Sequence, residues 1–256
     1  MNAPYGIAIF YCSIFVKSHI RAISKIETRD QVALVQPLQG EYYINKYNDD
    51  YTTTDVAGSY SGRVTRLNLH TNDVASIRGL HRMPLLSELT LTNNNLRNLN
   101  GLNQSRSIRK LVVDDNNLSS LMGLQSSSLV SFRARSNDIR SLTGAQAPSL
   151  QLLDCANNDI GSINGIGVAT TPSLKVLNLS NNDITDVSPL CNLAYLEAVC
   201  VSSNDIKSVN SIMAMIQSCP NLKYLDLRDN DLPESAQKQL EEICQFRKPV
   251  PIELHV

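Results

Sequence analysis

A short alternation of apolar and polar positions, closed by an asparagine and one more apolar residue, recurs along most of this chain. Aligned on the asparagine, eight segments share L-x-x-L-x-L-x-x-N-x-L: VTRLNLHTNDV from Val64, LSELTLTNNNL from Leu86, IRKLVVDDNNL from Ile108 and LVSFRARSNDI from Leu129. LQLLDCANNDI from Leu150, LKVLNLSNNDI from Leu174, LEAVCVSSNDI from Leu196 and LKYLDLRDNDL from Leu222 complete the series. The aligned residues are Asn72, Asn94, Asn116, Asn137, Asn158, Asn182, Asn204 and Asn230, spaced by 22, 22, 21, 21, 24, 22 and 26 residues. The L-x-L alternation predicts a short strand with one face buried. The asparagine falls where the chain must turn away from that strand. Its side-chain amide can donate to and accept from backbone groups that burial would otherwise leave unpaired. These eight asparagines are therefore read as building the fold rather than doing chemistry.

The second half of each unit repeats as well. Ile77-x-Gly79-Leu80, Leu99-x-Gly101-Leu102, Leu121-x-Gly123-Leu124 and Ile163-x-Gly165-Ile166 share one pattern, Leu142-x-Gly144-Ala145 is a weaker copy, and Val187-Ser-Pro-Leu190 departs from it. Units this short have room only for a 3₁₀ turn or a short helix opposite the strand. The longest spacing holds SIMAMIQSC between Val209 and Cys219, enough for a full helix. A fixed period near 22 residues is the signature of a solenoid, in which each unit buries its apolar face against its neighbours.

These units, most regular in INGIGVATTPSLKVLNLSNNDITDVSPLCNLAYLEAV, resemble the short, 22-residue class of leucine-rich repeats. Regulators of protein phosphatase 1, an axonemal dynein light chain, a spliceosomal ribonucleoprotein subunit and the bacterial internalins share that class. The resemblance covers about residues 62–232. It implies an α/β leucine-rich-repeat solenoid with a curved parallel sheet, a convex side of 3₁₀ turns and short helices, and a role in binding other macromolecules. Fold does not fix function, so the partner is not implied.

Three segments follow: residues 1–61 as an N-terminal cap or extension, 62–232 as about eight repeats, and 233–256 as a C-terminal capping helix and tail. Pro233–Phe246 reads as a helix opened by the D-x-x-E of Asp231 and Glu234, a variant capping box, with Ala236, Leu240 and Ile243 on its apolar face. The tail RKPVPIELHV, with two prolines, should be extended, and its last three residues are also readable as a C-terminal peptide ligand of a PDZ domain. Ile20, Ile23 and Ile26, with Lys17, Arg21 and Lys25 on the other side, suggest a short amphipathic helix that caps the first repeat or, as the alternative, docks a partner or a membrane. The tyrosine-rich stretch 40–62 suggests an irregular surface segment or hairpin, a second candidate contact site.

The polar positions of the strands line the concave face in three columns. Arg66, Glu88, Lys110, Ser131, Leu152, Val176, Ala198 and Tyr224 form the first; Asn68, Thr90, Val112, Arg133, Asp154, Asn178, Cys200 and Asp226 the second; His70, Thr92, Asp114, Arg135, Ala156, Ser180, Ser202 and Arg228 the third. The N-terminal half is charged. The C-terminal half offers Leu152, Val176, Ala198 and Tyr224 as an apolar stripe, and exposed apolar patches mark interaction surfaces. The candidate protein-binding residues are thus Arg66, Lys110, Val112, Arg133, Arg135, Leu152, Asp154, Val176, Asn178, Ala198, Tyr224 and Arg228.

Composition narrows the classes further. The net charge is −1 and the isoelectric point about 6.4, without the basic bias of a dedicated nucleic-acid binder, so nucleic acid is expected only indirectly, within a complex. No nucleophile elbow, phosphate loop or H-E-x-x-H motif occurs. The aspartates that recur after the asparagines lack a calcium-loop glycine, and His70 near Asp114 lacks a cleft. The expectation is no catalytic residue, no metal, no cofactor and no small-molecule substrate.

The six cysteines form no C-x-x-C pair, and several replace aliphatic residues, so buried free thiols are expected. Gly6–Val16 is apolar and uncharged but too short to span a bilayer, and Lys17, His19 and Arg21 follow it instead of preceding it as in a secretory signal. Sequons at Asn103, Asn117 and Asn178 are read as chance matches. These features point to a cytoplasmic scaffold or regulatory subunit, in a cytoskeletal, ciliary (axonemal) or nuclear assembly. The alternative is a secreted or surface recognition protein similar to the internalins.

Overall fold

The computed structural model describes residues 42–45, 64–248 and 251–256. Among the described residues, ten strands form one sheet in chain order, each neighbour pair parallel. The repeat strands are β2 (Val64–Asn68), β3 (Glu88–Thr90), β4 (Lys110–Val112), β5 (Ser131–Arg133), β6 (Leu152–Asp154), β7 (Val176–Asn178), β8 (Ala198–Cys200) and β9 (Tyr224–Asp226), flanked by β1 (Tyr42–Asn45) and β10 (Glu253–His255). The opposite side carries 3₁₀ turns at Leu80–Arg82, Leu102–Gln104 and Ser188–Leu190, and helix α1 at Val209–Ser218, inside the longest spacing as predicted.

Each repeat adds one apolar layer. In the second repeat Leu86, Leu89, Leu91, Leu96, Leu99 and Leu102 are all fully buried, and the equivalent residues elsewhere join them in one continuous core. The asparagines stitch the layers together. Asn158 Oδ1 accepts the Ile139 N–H (3.0 Å) of the preceding repeat, while its Nδ2 donates to the Ala134, Cys155 and Ala156 carbonyls. The same Oδ1 rung runs from Asn94, which accepts Val74 N–H, to Asn230, which accepts Ile206 N–H.

The residue before each asparagine carries the turn. Thr71, Asn93, Asp115, Ser136, Asn157, Asn181, Ser203 and Asp229 all have φ between 52° and 57°, a left-handed conformation that short polar side chains tolerate best. The repeated glycine has a packing reason in addition. Gly165 has φ +118°, and a Cβ there would lie 2.4 Å from the Leu142 carbonyl oxygen of the preceding unit.

The flanks depart from expectation at three places. Helix α2 spans Glu234–Phe246 and begins after Pro233 (φ −64°, ψ 148°), with no side-chain capping bond. Asp231 pairs with Lys207 instead (3.3 Å), so the D-x-x-E capping box does not form. The buried face of α2 is Ala236, Leu240 and Cys244, with Ile243 only partly buried against the core. The tail is not left free as a peptide ligand: β10 pairs with β9, Leu227 N–H donating to the His255 carbonyl and Glu253 N–H to that of Lys223. Within the tyrosine-rich stretch, Tyr42–Asn45 form β1 against β2 rather than an irregular segment. The rest of that stretch and the expected helix around Ile20–Ile26 lie outside the described residues.

Candidate protein-binding face

The strand register sets the first two columns side by side as the spacing implied. Arg66 faces Glu88, Glu88 faces Lys110, Lys110 faces Ser131, and Ser131 faces Leu152. Val176, Ala198 and Tyr224 continue the first column, which ends on Glu253 of the tail strand. Thr90, Val112, Arg133, Asp154, Asn178, Cys200, Asp226 and His255 align equally in the second.

The charged half is organised by ion pairs along and across these columns. Arg66 Nε lies 3.4 Å from Glu88, Arg133 lies 2.5 Å from Asp114, and Arg135 Nε donates to Asp154 Oδ2 at 2.7 Å. Asp114 also accepts the Arg135 backbone N–H (3.0 Å), so that carboxylate positions arginines and is not held ready for acid–base work with His70. The arginines keep between about a third and a half of their side chains in solvent. Asp154 beneath them is buried, and burial drives its carboxyl above the ordinary carboxylate range, against the opposing pull of Arg135. Guanidinium groups fixed from below and open above are prepared to meet an acidic surface with little further ordering.

The C-terminal half is different from what the sequence suggested. Leu152, Val176, Ala198 and Tyr224 are not exposed: they are 4%, 1%, 2% and 2% accessible, and with Cys200 they form a second apolar cluster distinct from the main core. Asp154, Asn178 and Asp226 beside them are buried too. The premise of a solvent-facing stripe is corrected on these grounds. Asn178 is spent on the local turn, accepting the Ser180 N–H and hydroxyl (3.2 and 2.7 Å), and is closed to a glycan.

Two groups were missed in the sequence. Asp226, fully buried, holds Arg228 through both carboxylate oxygens (2.9 and 2.6 Å). That bond raises the arginine's pKa, and burial, followed by Asp226, pushes up that of the Tyr224 phenol. The signal was D-x-R across a strand end, a spacing that sets both side chains on one face. Cys200 is disulfide-bonded, against the expectation of free thiols throughout, whereas Cys155, Cys191, Cys219 and Cys244 are free.

Among the described residues no group of His, Cys, Asp or Glu is placed to hold a metal ion, and no helix is long and apolar enough to cross a membrane. A depression of about 520 Å³ on the edge of the solenoid is lined by Arg106, Arg109, Ser107, Ser128, Ser149 and neighbours. Its hydroxyls lace adjacent repeats, Ser128 donating to the Ile108 carbonyl (2.9 Å).

Comparison with known proteins agrees with this architecture. The leucine-rich-repeat family pattern, described as two copies of the repeat, matches residues 148–192. The chain has the leucine-rich-repeat fold. Among solved structures, an internalin (inlF) from Listeria monocytogenes is similar at 23% identity and a TM-score of 0.55, covering 75% of this chain and 62% of that one. The chain thus spans less than two thirds of that internalin. Human trophoblast glycoprotein 5T4 is similar at 22% identity and a TM-score of 0.66, covering 81% and 84%. Internalin C2 of the same Listeria is similar at 23% and 0.53, covering 83% and 80%. No curated protein matches the sequence. Leucine-rich repeats of this kind are protein–protein interaction modules, and their fold is generally non-enzymatic.

Proposed function

We propose that this leucine-rich-repeat protein is a non-catalytic scaffold or regulatory subunit that holds an acidic surface of a protein partner on the charged half of its concave face. The observation that carries the reading is the arginine set Arg66, Arg133 and Arg135, part-exposed and braced by Glu88, Asp114 and Asp154. Ion pairs that fix side chains before binding lower the ordering cost of association, and the charge pattern sets partner choice and encounter rate. Reversing the outer charges with Arg66→Glu and Lys110→Glu, which leave the Arg133–Asp114 and Arg135–Asp154 pairs in place, should lower partner affinity at least tenfold and weaken its salt dependence, with the circular dichroism spectrum unchanged. Unaltered affinity in a folded double variant overturns the proposal.

One observation favours a second reading, a secreted or surface recognition protein. A disulfide at Cys200 suits an oxidising compartment. Alkylating thiols at the moment of cell lysis separates the two readings. A blocked Cys200 supports the surface protein, and an alkylated Cys200 supports the cytoplasmic subunit.

A further inference from the structure

The depression on the edge of the solenoid lies at the N-terminal ends of β4 to β7. Its origin is a break in one column of the repeat. Four consecutive units place serine at the equivalent position, Ser107, Ser128, Ser149 and Ser173, where the units on either side place Leu85 and Tyr195. Those two flanking side chains are largely exposed, and the short serines between them leave a hollow of about 520 Å³. That volume falls within the range of ordinary ligand sites, about 300–1,000 Å³.

The hollow is lined by donors that the fold does not use. Among the described residues Arg106 and Arg109 are exposed and meet no carboxylate, unlike the braced arginines of the concave face, and no acidic residue lines the hollow. The hydroxyls of Ser127, Ser149 and Ser173 bond to no described protein group, whereas Ser128 is spent on the Ile108 carbonyl. The backbone contributes nothing here. The Arg109, Val130, Gln151 and Lys175 N–H groups each donate to the preceding strand segment, at 2.8, 2.8, 2.8 and 2.9 Å. Those same bonds align the four residues in a column. Beyond its end Glu197 is held by Lys223 (2.9 Å), which leaves the Lys175 ammonium without an ion pair among the described residues.

We propose that this edge binds a phosphorylated segment of a protein partner. Arg106 and Arg109 hold the phosphate, the serine hydroxyls line the chain that leads away from it, and Lys175 meets an acidic side chain. A carboxylate is satisfied by one bidentate guanidinium, whereas a phosphate monoester, with three strong acceptor oxygens and about two negative charges, matches two guanidiniums with hydroxyls beside them. Arg109 and Lys175 stand three strand steps apart, about 14 Å at roughly 4.8 Å each, and an extended peptide covers that span in about four residues. The site rests on the reading of this chain as a protein-binding module, but it does not depend on the concave face.

Fluorescence anisotropy of the full chain with a labelled synthetic peptide tests the site. The peptide carries phosphoserine followed four positions later by glutamate, in an alanine–glycine background. It should bind, and its unphosphorylated form should bind at least tenfold more weakly. Arg106→Ala/Arg109→Ala should lower phosphopeptide affinity at least tenfold with the circular dichroism spectrum unchanged, since both side chains are exposed. Lys175→Ala should weaken binding several-fold, and only for the peptide that carries the glutamate. No binding of the phosphopeptide at millimolar concentration, equal binding of its two forms, an arginine double variant that binds as wild type, or a Lys175→Ala variant indifferent to the glutamate would each overturn the proposal. Capture of phosphoinositide vesicles through the same arginines, without peptide binding, would overturn it as well. Arg66→Glu/Lys110→Glu should leave peptide binding unchanged, so the edge site and the concave site fail separately.

Discussion

Replacing Asn158 with alanine isolates what one rung of the asparagine ladder contributes. The substitution removes the acceptor for the Ile139 N–H (3.0 Å) and the donor to three carbonyls. Two of those carbonyls keep other partners: Cys155 still accepts from Asn182 Nδ2 (3.1 Å), and Ala156 from the Ser136 N–H (3.1 Å). The Ile139 N–H and the Ala134 carbonyl lose the asparagine bond inside the core. A buried polar group left unpaired costs about 1–3 kcal/mol, so the two left by Asn158→Ala should destabilise the solenoid by about 2–6 kcal/mol. Urea unfolding followed by circular dichroism measures it, with Asp159→Ala, an exposed neighbour, as the control at about 0.5 kcal/mol or less. Equal midpoints for the two variants would refute the ladder as a source of stability.

Two further substitutions test the packing and the buried charge. Gly79→Ala adds a Cβ into open space at φ +97° and should cost only the left-handed strain, about 1–2 kcal/mol, whereas Gly165→Ala must also push the Leu142 carbonyl away and should cost clearly more; thermal unfolding of both orders them. Arg135→Ala leaves Asp154 buried without its closest cation and should destabilise the fold by about 3–5 kcal/mol at neutral pH. The folded-state pKa of Asp154 is already raised and rises further in this variant. Its stabilising contribution is therefore present at low pH and lost as pH rises through that value. The variant should regain stability on acidification from pH 7 toward 4, and a loss parallel to wild type would contradict the assignment.

What the sequence revealed and what it hid have separate physical causes. The repeat period fixes strand register, so the columns from Arg66 to Tyr224 were legible residue by residue and match the observed pairing. Burial of the concave positions was not, because an L-x-L strand specifies which side faces the core and says nothing of what lies over the other side. Leu152 and Val176 therefore read as exposed. The capping box at Asp231 and Glu234 matched a local pattern, but Pro233 holds extended backbone between them and delays the helix by a residue or two. The tail strand did leave a signal, the alternation Ile252, Leu254, Val256, with Ile252 buried. An open edge on β9 supplied the partner for it.

Site-specific photo-crosslinking tests the central reading, a protein partner on the charged concave face, most directly. A photoreactive residue at Lys110, part-exposed among the arginines, should trap the partner. The same residue at Met122, 65% exposed on the opposite side, should not. Trapping at Met122 with none at Lys110 would contradict the account.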